Sequence, residues 1–385
     1  MPDTPGWGPQ GPRTGSGHDG PGHGTARYGA PPYGAGAPYP PPPYGWGQQG
    51  PWGPPPPPPP KPGVIPLAPL GVDHVLGGAF ATMRRYAKPL FGAALAAYAL
   101  YAVVLGAALG IAYLVARDHY AALSADGAEF AWEHGKPVLV AFGAVWAAGL
   151  VGALAVNSFV QASVAATLHE AVLGRPTTFR AVTRRAWSRT PAVAAVTLPL
   201  ALILLLPLAL FALFFVAVFV TVLTDATAPL GLLFLLFLLV IPLSAWLYVL
   251  FAFAPAATVL ESAGPLTALR RSVHLVRGAW WRTFGISLLA GAMVMIVSLV
   301  YQLPMQFAAP EPPVVTPDTS ASEVMLDQLR SQTGLYAVAA LLGTLLTQLA
   351  AAVFLPLVTA LLYVDRRIRK EDLAHTLAEA SAERQ

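Results

Sequence analysis

Apolar positions are distributed unevenly along this chain. Residues 1–60 contain no Leu, Ile, Val or Phe, whereas long, nearly unbroken apolar runs follow at about 89–115, 137–165, 191–223, 229–260, 283–307 and 335–364. About 20 apolar residues suffice to cross the hydrocarbon core of a bilayer. The pattern therefore predicts six transmembrane helices in an all-α, polytopic membrane protein. The third and fourth runs are the most hydrophobic, and Asp225 lies in the short turn between them, so this pair reads as a helical hairpin.

Between the apolar runs, a second pattern recurs. Runs 1, 3 and 5 are preceded by Phe80-Ala-Thr-Met-Arg-Arg-Tyr86, Arg180-Ala-Val-Thr-Arg-Arg-Ala-Trp-Ser-Arg-Thr190 and Arg270-Arg-Ser-Val-His-Leu-Val-Arg-Gly-Ala-Trp-Trp-Arg-Thr283. The last two share Trp-x-Arg-Thr, at Trp187 and Trp280. Ala166-Thr-Leu-His-Glu170 matches Ala257-Thr-Val-Leu-Glu261, with Gly174 and Gly264 soon after, and Pro255-x-x-Thr258 recurs as Pro356-x-x-Thr359. The spacing predicts three parallel repeats of about 104 residues, each led by an amphipathic interfacial helix and followed by an outward and an inward span.

Composition separates the N-terminal region from this membrane domain. Residues 1–65 form an expected disordered tail, since 23 of the 39 prolines and 16 of the 35 glycines fall within the first 70 residues and no large aliphatic side chain precedes residue 61. Such a segment cannot bury enough surface to offset the entropy of ordering. It also lacks the basic start and apolar stretch of a signal peptide. Seven aromatics (Trp7, Tyr28, Tyr33, Tyr39, Tyr44, Trp46, Trp52) punctuate it, and Pro54 to Pro60 form a proline run before Lys61. That run predicts a polyproline II rod on the order of 20 Å long. A docking strip for a protein partner with an aromatic-lined groove, a self-clustering tail and a solvated spacer all fit this composition. The membrane domain then occupies 66–370, and a short tail of 371–385 follows.

Charge changes the picture by assigning sides. Of the 23 Lys and Arg residues, 20 lie before run 1, between runs 2 and 3, between runs 4 and 5, or after run 6; Arg117, Lys136 and Arg330 alone fall in the other loops. Nine of the 19 acidic residues lie in those other loops, so the two faces net +10 and −6. The bias places both termini on the cytoplasmic side of the membrane. It also accounts for the basic pI near 9.3 without any nucleic-acid partner. Arg and Trp together suit the headgroup layer, which makes Arg184, Arg185, Trp187, Arg189, Arg270, Arg271, Arg277, Trp280, Trp281 and Arg282 candidates for lipid-headgroup contact or for plain topological anchoring.

Little other chemistry is legible. With no cysteine, disulfides and thiolate sites are excluded. No Asp, Glu, Lys, Arg or His falls inside the six apolar cores, where intramembrane catalysis or ion coupling would place one. His169-Glu170 begins a His-Glu-x-x-His pattern that Leu173 breaks, and the other histidines are scattered, so no metal or cofactor is expected. Asn157, Gln161, Gln302, Gln306 and Gln348 are polar within spans, as a substrate path or interhelical hydrogen bonds would require. Gly106-x-x-x-Gly110 and Ala148-x-x-x-Gly152 suit close helix approach, and Pro199, Pro207, Pro242, Pro255, Pro304 and Pro356 predict kinks. In the longest outer loop, Ser320-x-x-Glu323 is a capping box before a short helix to about Arg330.

Three stretches together resemble a known family: Pro62-Gly-Val-Ile-Pro-Leu-Ala-Pro-Leu-Gly-Val72 leading to Gly78-Ala-Phe-Ala-Thr-Met-Arg-Arg85, Arg271-Ser-Val-His-Leu-Val-Arg-Gly-Ala-Trp-Trp-Arg282, and Leu362-Tyr-Val-Asp-Arg-Arg-Ile-Arg-Lys-Glu371. Over about residues 62–380 the chain is similar to actinobacterial integral membrane proteins related to the membrane domain of some glycerophosphodiester phosphodiesterases. The resemblance implies a six-helix module in a bacterial cytoplasmic membrane, frequently behind a Pro/Gly-rich tail, with no well-established biochemical activity of its own. The barrel of those enzymes carries a His-Arg pair and a Glu-x-Asp metal pair, and neither occurs here. The expectation is therefore a non-enzymatic protein that organises or recruits membrane lipids or a protein partner; the alternative is a transporter or channel for a lipid-like substrate.

Overall fold

The computed structural model describes residues 63–66, 68–123, 132–224, 229–308 and 335–371. The Pro/Gly-rich tail, the turn at Asp225, the capping box at Ser320 with its helix to Arg330, and the chain beyond Glu371 lie outside the described residues. Nine helices are seen among them: α1 Val72–Arg85, α2 Ala87–Leu123, α3 Trp132–Val172, α4 Phe179–Thr224, α5 Leu230–Phe251, α6 Ala254–Leu260, α7 Pro265–Val276, α8 Trp280–Phe307 and α9 Leu335–Glu371. No strand occurs among the described residues. Six stretches, carried by α2, α3, α4, α5 with α6, α8 and α9, are long and apolar enough to cross a membrane. The protein has a multi-pass helical architecture.

The three repeat units differ in one instructive respect. In the first and third, the short basic helix is separate from the span that follows: α1 ends at Arg85, before Tyr86, and α7 ends at Val276, two residues before Gly278. Gly278 takes φ +82°, a conformation that side chains with a Cβ rarely adopt. In the second unit the aligned stretch is Arg184-Arg185-Ala186-Trp187, so Arg185 stands where Gly278 stands in the third. Without a glycine to turn on, the helix runs through. The basic segment expected as a separate interfacial helix at 180–190 is instead the opening of α4, whose 46 residues extend about 69 Å at 1.5 Å per residue.

Proline acts unevenly along the spans. Pro199, Pro207, Pro242, Pro304 and Pro356 lie within continuous helices, whereas Pro255 accompanies a break between α5 and α6. Pro255 has no N–H to donate back along α5. The backbone groups freed at the break are met by Ser272 of α7, whose buried hydroxyl accepts from Phe253 N (3.1 Å) and donates to Leu250 O (2.8 Å).

Consecutive spans pair as α2–α3, α4–α5 and α8–α9. The first and last pairs use the same device. Tyr101 of α2 donates to Gly149 O of α3 (2.9 Å), and its ring lies where a Cβ on Gly152 would sit, 2.7 Å from the ring edge. Tyr301 of α8 donates to Ala339 O of α9 and covers Gly343 in the same way. In the middle pair, aromatic contacts replace it, with Phe211 against Phe237 and Phe214 against Phe234. Gly106 and Gly110, which the spacing marks for close approach, instead face open space.

The packed core sits at the end of the bundle where the basic segments gather. Ala93, Phe159, Ala162, Ala165, Ala166, Ala186, Val193 and Val259 form one cluster, its alanines letting backbones approach closely. Here the apolar stripe of α1 (Val75, Gly78, Ala79, Thr82) is buried and α1 packs against α9, while Ala268, Ser272, Leu275 and Val276 of α7 are buried beside α4, α5 and α6. The apolar faces of both short helices are thus covered by protein rather than turned to lipid. Away from this end, large apolar side chains such as Val103, Trp146, Phe219 and Leu346 are exposed around the spans.

Gly152→Leu is expected to force Tyr101 aside and to lower the melting temperature in detergent by several degrees, a cost of about 1–3 kcal/mol. Gly106→Leu, on open helix surface, is expected to leave melting unchanged or slightly raised.

Candidate functional site

The residues that close the basic end are ionic. Asp365 lies one residue past the expected sixth span, and its side chain is 0% exposed. A bare carboxylate there would be costly, and three donors meet it. Leu70 N donates to Oδ1 (2.8 Å), Arg369 Nε to the same oxygen (2.9 Å), and Arg282 Nη1 to Oδ2. Both guanidinium groups also donate to Leu70 O, Arg282 Nη2 at 2.6 Å and Arg369 Nη2 at 2.9 Å. One residue of the chain preceding α1, Leu70, is therefore held at its N–H by α9 and at its C=O by α8 and α9.

The clasp works with apolar anchoring of the same segment. Ile65 and Leu70 are fully buried, and Val64 N donates to Ala171 O (3.2 Å) at the end of α3. Gly63 fits because a Cβ at that position would collide with the carbonyls of Ala171 and Val172. Residues 63–66 and 68–71 thus lie strapped across the basic end.

A second network lies beside the first. Glu261, just after α6 and 13% exposed, receives Arg271 Nε (2.6 Å), pairs with Arg367 Nε (3.2 Å) and accepts from the Tyr363 hydroxyl. Glu371 receives the same two arginines, from Arg271 Nη2 at 2.7 Å and Arg367 Nε at 2.9 Å. Two carboxylates and two guanidinium groups alternate in a closed ring that joins α6, α7 and α9. The hydrogen bond that Arg271 donates to Glu261 holds its guanidinium firmly charged, raising its pKa above the usual arginine range against the opposing effect of burial. Lys370 Nζ caps α7 by donating to His274 O (2.7 Å) and Arg277 O (3.0 Å), where a cation suits the negative end of the helix.

These residues border an open cleft of about 520 Å³, walled by residues 278–282 of the α7–α8 turn and by Arg366 and Arg369 of α9. Trp280 stacks on Phe284 with ring centroids 5.0 Å apart and meets Trp281 edge-on at 4.8 Å. Trp281 is 78% exposed.

The arginines and tryptophans singled out in the sequence separate into distinct settings. Arg271 and Arg282 are committed to carboxylates of the chain itself. Arg185 lies 3.6 Å from Glu170, and Arg189 donates to Ser262 Oγ at 2.8 Å. Arg184, Arg270 and Arg277 are exposed, as is Trp187, which meets Phe159 edge-on. Among the span amides, Asn157, Gln302, Gln306 and Gln348 lie on the exposed surface of the bundle and Gln161 is half-buried. Two histidines expected to be scattered, His119 and His134, meet away from the basic end, with Nδ1 atoms 3.2 Å apart. No group of three potential metal ligands forms among the described residues.

Leu70, Glu261, Tyr363, Asp365, Arg366, Arg367, Arg369 and Glu371 are the site residues that the pattern reading did not single out. Their signal was available: Glu261 and Asp365 are acids placed directly at the ends of apolar runs on the side of the chain that is otherwise basic.

Comparison with known proteins adds a limited finding. A family model described as a domain of unknown function, DUF7847, matches residues 177–363, which run from just before α4 to Tyr363 of α9. That description names no activity and makes no link to the membrane domain of the phosphodiesterases. No curated protein and no solved structure matches the chain.

Asp365→Asn is expected to lower stability by about 2–3 kcal/mol, less than a wholly buried pair would lose because Arg282 and Arg369 are about a third exposed. Glu170→Gln, which loosens only the longer pair with Arg185, is expected to cost under about 1 kcal/mol. Thermal unfolding of the two variants in one detergent checks the contrast.

Proposed function

We propose that this protein is a non-enzymatic, multi-pass component of a bacterial cytoplasmic membrane that gathers anionic lipids or a protein partner at its basic, cytoplasmic face. One observation carries the reading. The packed core and the two internal ionic networks stiffen the basic end of the bundle, and that same end displays the exposed Arg184, Trp187, Arg270, Arg277 and Trp281. A rigid platform of cations and tryptophans suits the headgroup layer, each cation adding on the order of 1 kcal/mol near an anionic surface. The positive-inside bias supports the cytoplasmic side for this platform. Residues 63–66 and 68–71, which follow the Pro/Gly-rich stretch in sequence, are held at that same end, and a Pro/Gly-rich stretch with interspersed aromatics suits recruitment of a protein partner. The likeness of residues 62–380 to the membrane part of certain phosphodiesterases fits as well, since the catalytic pairs of those enzymes are missing from the sequence.

In-membrane cross-linking followed by pull-down of the full-length protein, beside a version starting at Lys61, tests the proposal. Anionic phospholipid is expected with both forms, and a protein partner only with the full-length chain. Recovery of neither from the full-length protein would overturn it.

A further inference from the structure

Charge at the basic end divides unequally between the two networks. Glu261 and Glu371 face Arg271 and Arg367, two against two, and their ring closes on itself. On the other side a single carboxylate, Asp365, stands among Arg282, Arg366 and Arg369, and all three of these arginines line the cavity. The surplus of positive charge is therefore concentrated at one concave place.

The donors there are also unequally used. Arg282 gives both η nitrogens to Asp365 and Leu70, and Arg369 gives Nε and one η nitrogen to the same pair. These bonds fix both guanidinium planes in advance. Arg366 donates Nε to Leu275 O at 3.1 Å, and its two η nitrogens have no protein acceptor among the described residues. A guanidinium tethered at Nε with its outer edge open presents the fork that matches a phosphate or carboxylate. Because the neighbouring cations are already ordered, an anion entering here loses little to ordering side chains.

From these observations we infer that the cavity between the α7–α8 turn and α9 is a binding site for a phosphate-bearing headgroup, gripped by Arg366 beside the fixed Arg282 and Arg369 and flanked by Trp281. The inference rests on the proposed function above and gives it a place and a ligand chemistry. The cleft, about 520 Å³ and largely open to the surroundings, has room for a headgroup beyond the phosphate. Its depth favours a lipid over a free solute, since Trp280 and Trp281 open the span of α8 and tryptophan settles at the membrane–water boundary. The second repeat unit supplies an internal contrast. There Arg185 replaces Gly278, Ser188 replaces Trp281, and Arg185 turns towards Glu170 at 3.6 Å.

Titration calorimetry of the full-length protein in detergent tests the site with dihexanoyl phosphatidylglycerol, with dihexanoylglycerol lacking the phosphate, and with inorganic phosphate. The wild type is expected to bind the phospholipid and not the phosphate-free lipid. Arg366→Gln should weaken binding about fivefold, the loss of one cation beside an anion, with the melting temperature lowered by no more than the loss of its hydrogen bond to Leu275 O entails. Trp281→Ser, which copies the second unit, should weaken it as well and keeps the test open if Arg366→Gln folds poorly. Inorganic phosphate binding as tightly as the phospholipid, with the same sensitivity to Arg366→Gln, would support the site with a free anion as its ligand. Phospholipid binding unchanged in both variants would overturn this site while leaving lipid recruitment by the basic end intact. Absence of phospholipid binding to the wild type, with none recovered by pull-down, would overturn the site and remove the lipid half of the proposed function. A Glu-rich peptide that binds in place of the phospholipid would overturn the lipid assignment in favour of an acidic protein segment.

Discussion

A single carboxylate closes this fold. Asp365 is fully buried at the basic end of the last helix, and the donors around it come from three places far apart in sequence: the peptide of Leu70 before α1, Arg282 at the start of α8, and Arg369 one turn along α9. Burying a charge is unfavourable unless it is paired and its lone pairs are satisfied. Here both oxygens are met, and the two arginines turn their remaining inner donors to Leu70 O. The cost of desolvation is thus offset by an arrangement that exists only when the first and last parts of the membrane domain are in register. In a bilayer, where apolar burial between spans contributes little because lipid tails are as apolar as leucine, such a polar clasp decides which helix ends come together.

The rest of the basic end is organised by repetition and by departures from it. Thr258 and Thr359 of the recurring Pro-x-x-Thr motif donate to the carbonyls of Pro255 and Pro356 in the same manner, at 2.7 and 3.0 Å. Thr190 and Thr283 of the Trp-x-Arg-Thr motif both donate to the alanine carbonyl four residues back. The arginines of that motif, Arg189 and Arg282, each reach the far end of the second span of their unit, at Ser262 and Asp365 respectively. Against this common frame, one glycine makes the units differ. Gly278 permits the left-handed turn that separates α7 from α8 and removes a side chain from the cavity wall, whereas Arg185 lets α4 continue unbroken.

Most of the architecture was legible in the sequence because hydrophobic run length is a direct physical requirement of spanning a bilayer. The six spans, the three repeats and the basic end follow from that and from the distribution of Lys and Arg. What pattern reading could not supply was partnership. Arg271 and Arg282 look the same in sequence as the exposed Arg270 and Arg277, since all four sit in one basic stretch, and only folding shows which of them meets Glu261 or Asp365. The continuous α4 was missed because amphipathic character marks a helix face without marking where the helix ends, and Gly106-x-x-x-Gly110 because a small-residue spacing says nothing about whether a partner arrives. The break before α6 was half legible: Pro255 announces it, but Ser272, which satisfies the freed backbone, lies on another helix.

The account depends most on the claim that Asp365 holds the Leu70 peptide in place. Hydrogen–deuterium exchange of full-length protein in lipid nanodiscs, comparing wild type with Asp365→Asn, reads that peptide directly. Peptides covering residues 64–71 are expected to be protected in the wild type and to exchange at least about tenfold faster in the variant, as loss of a charge-assisted bond worth 1.5–3 kcal/mol requires, while the middle of α3 is unaffected. Equal exchange of residues 64–71 in the two proteins would contradict the claim.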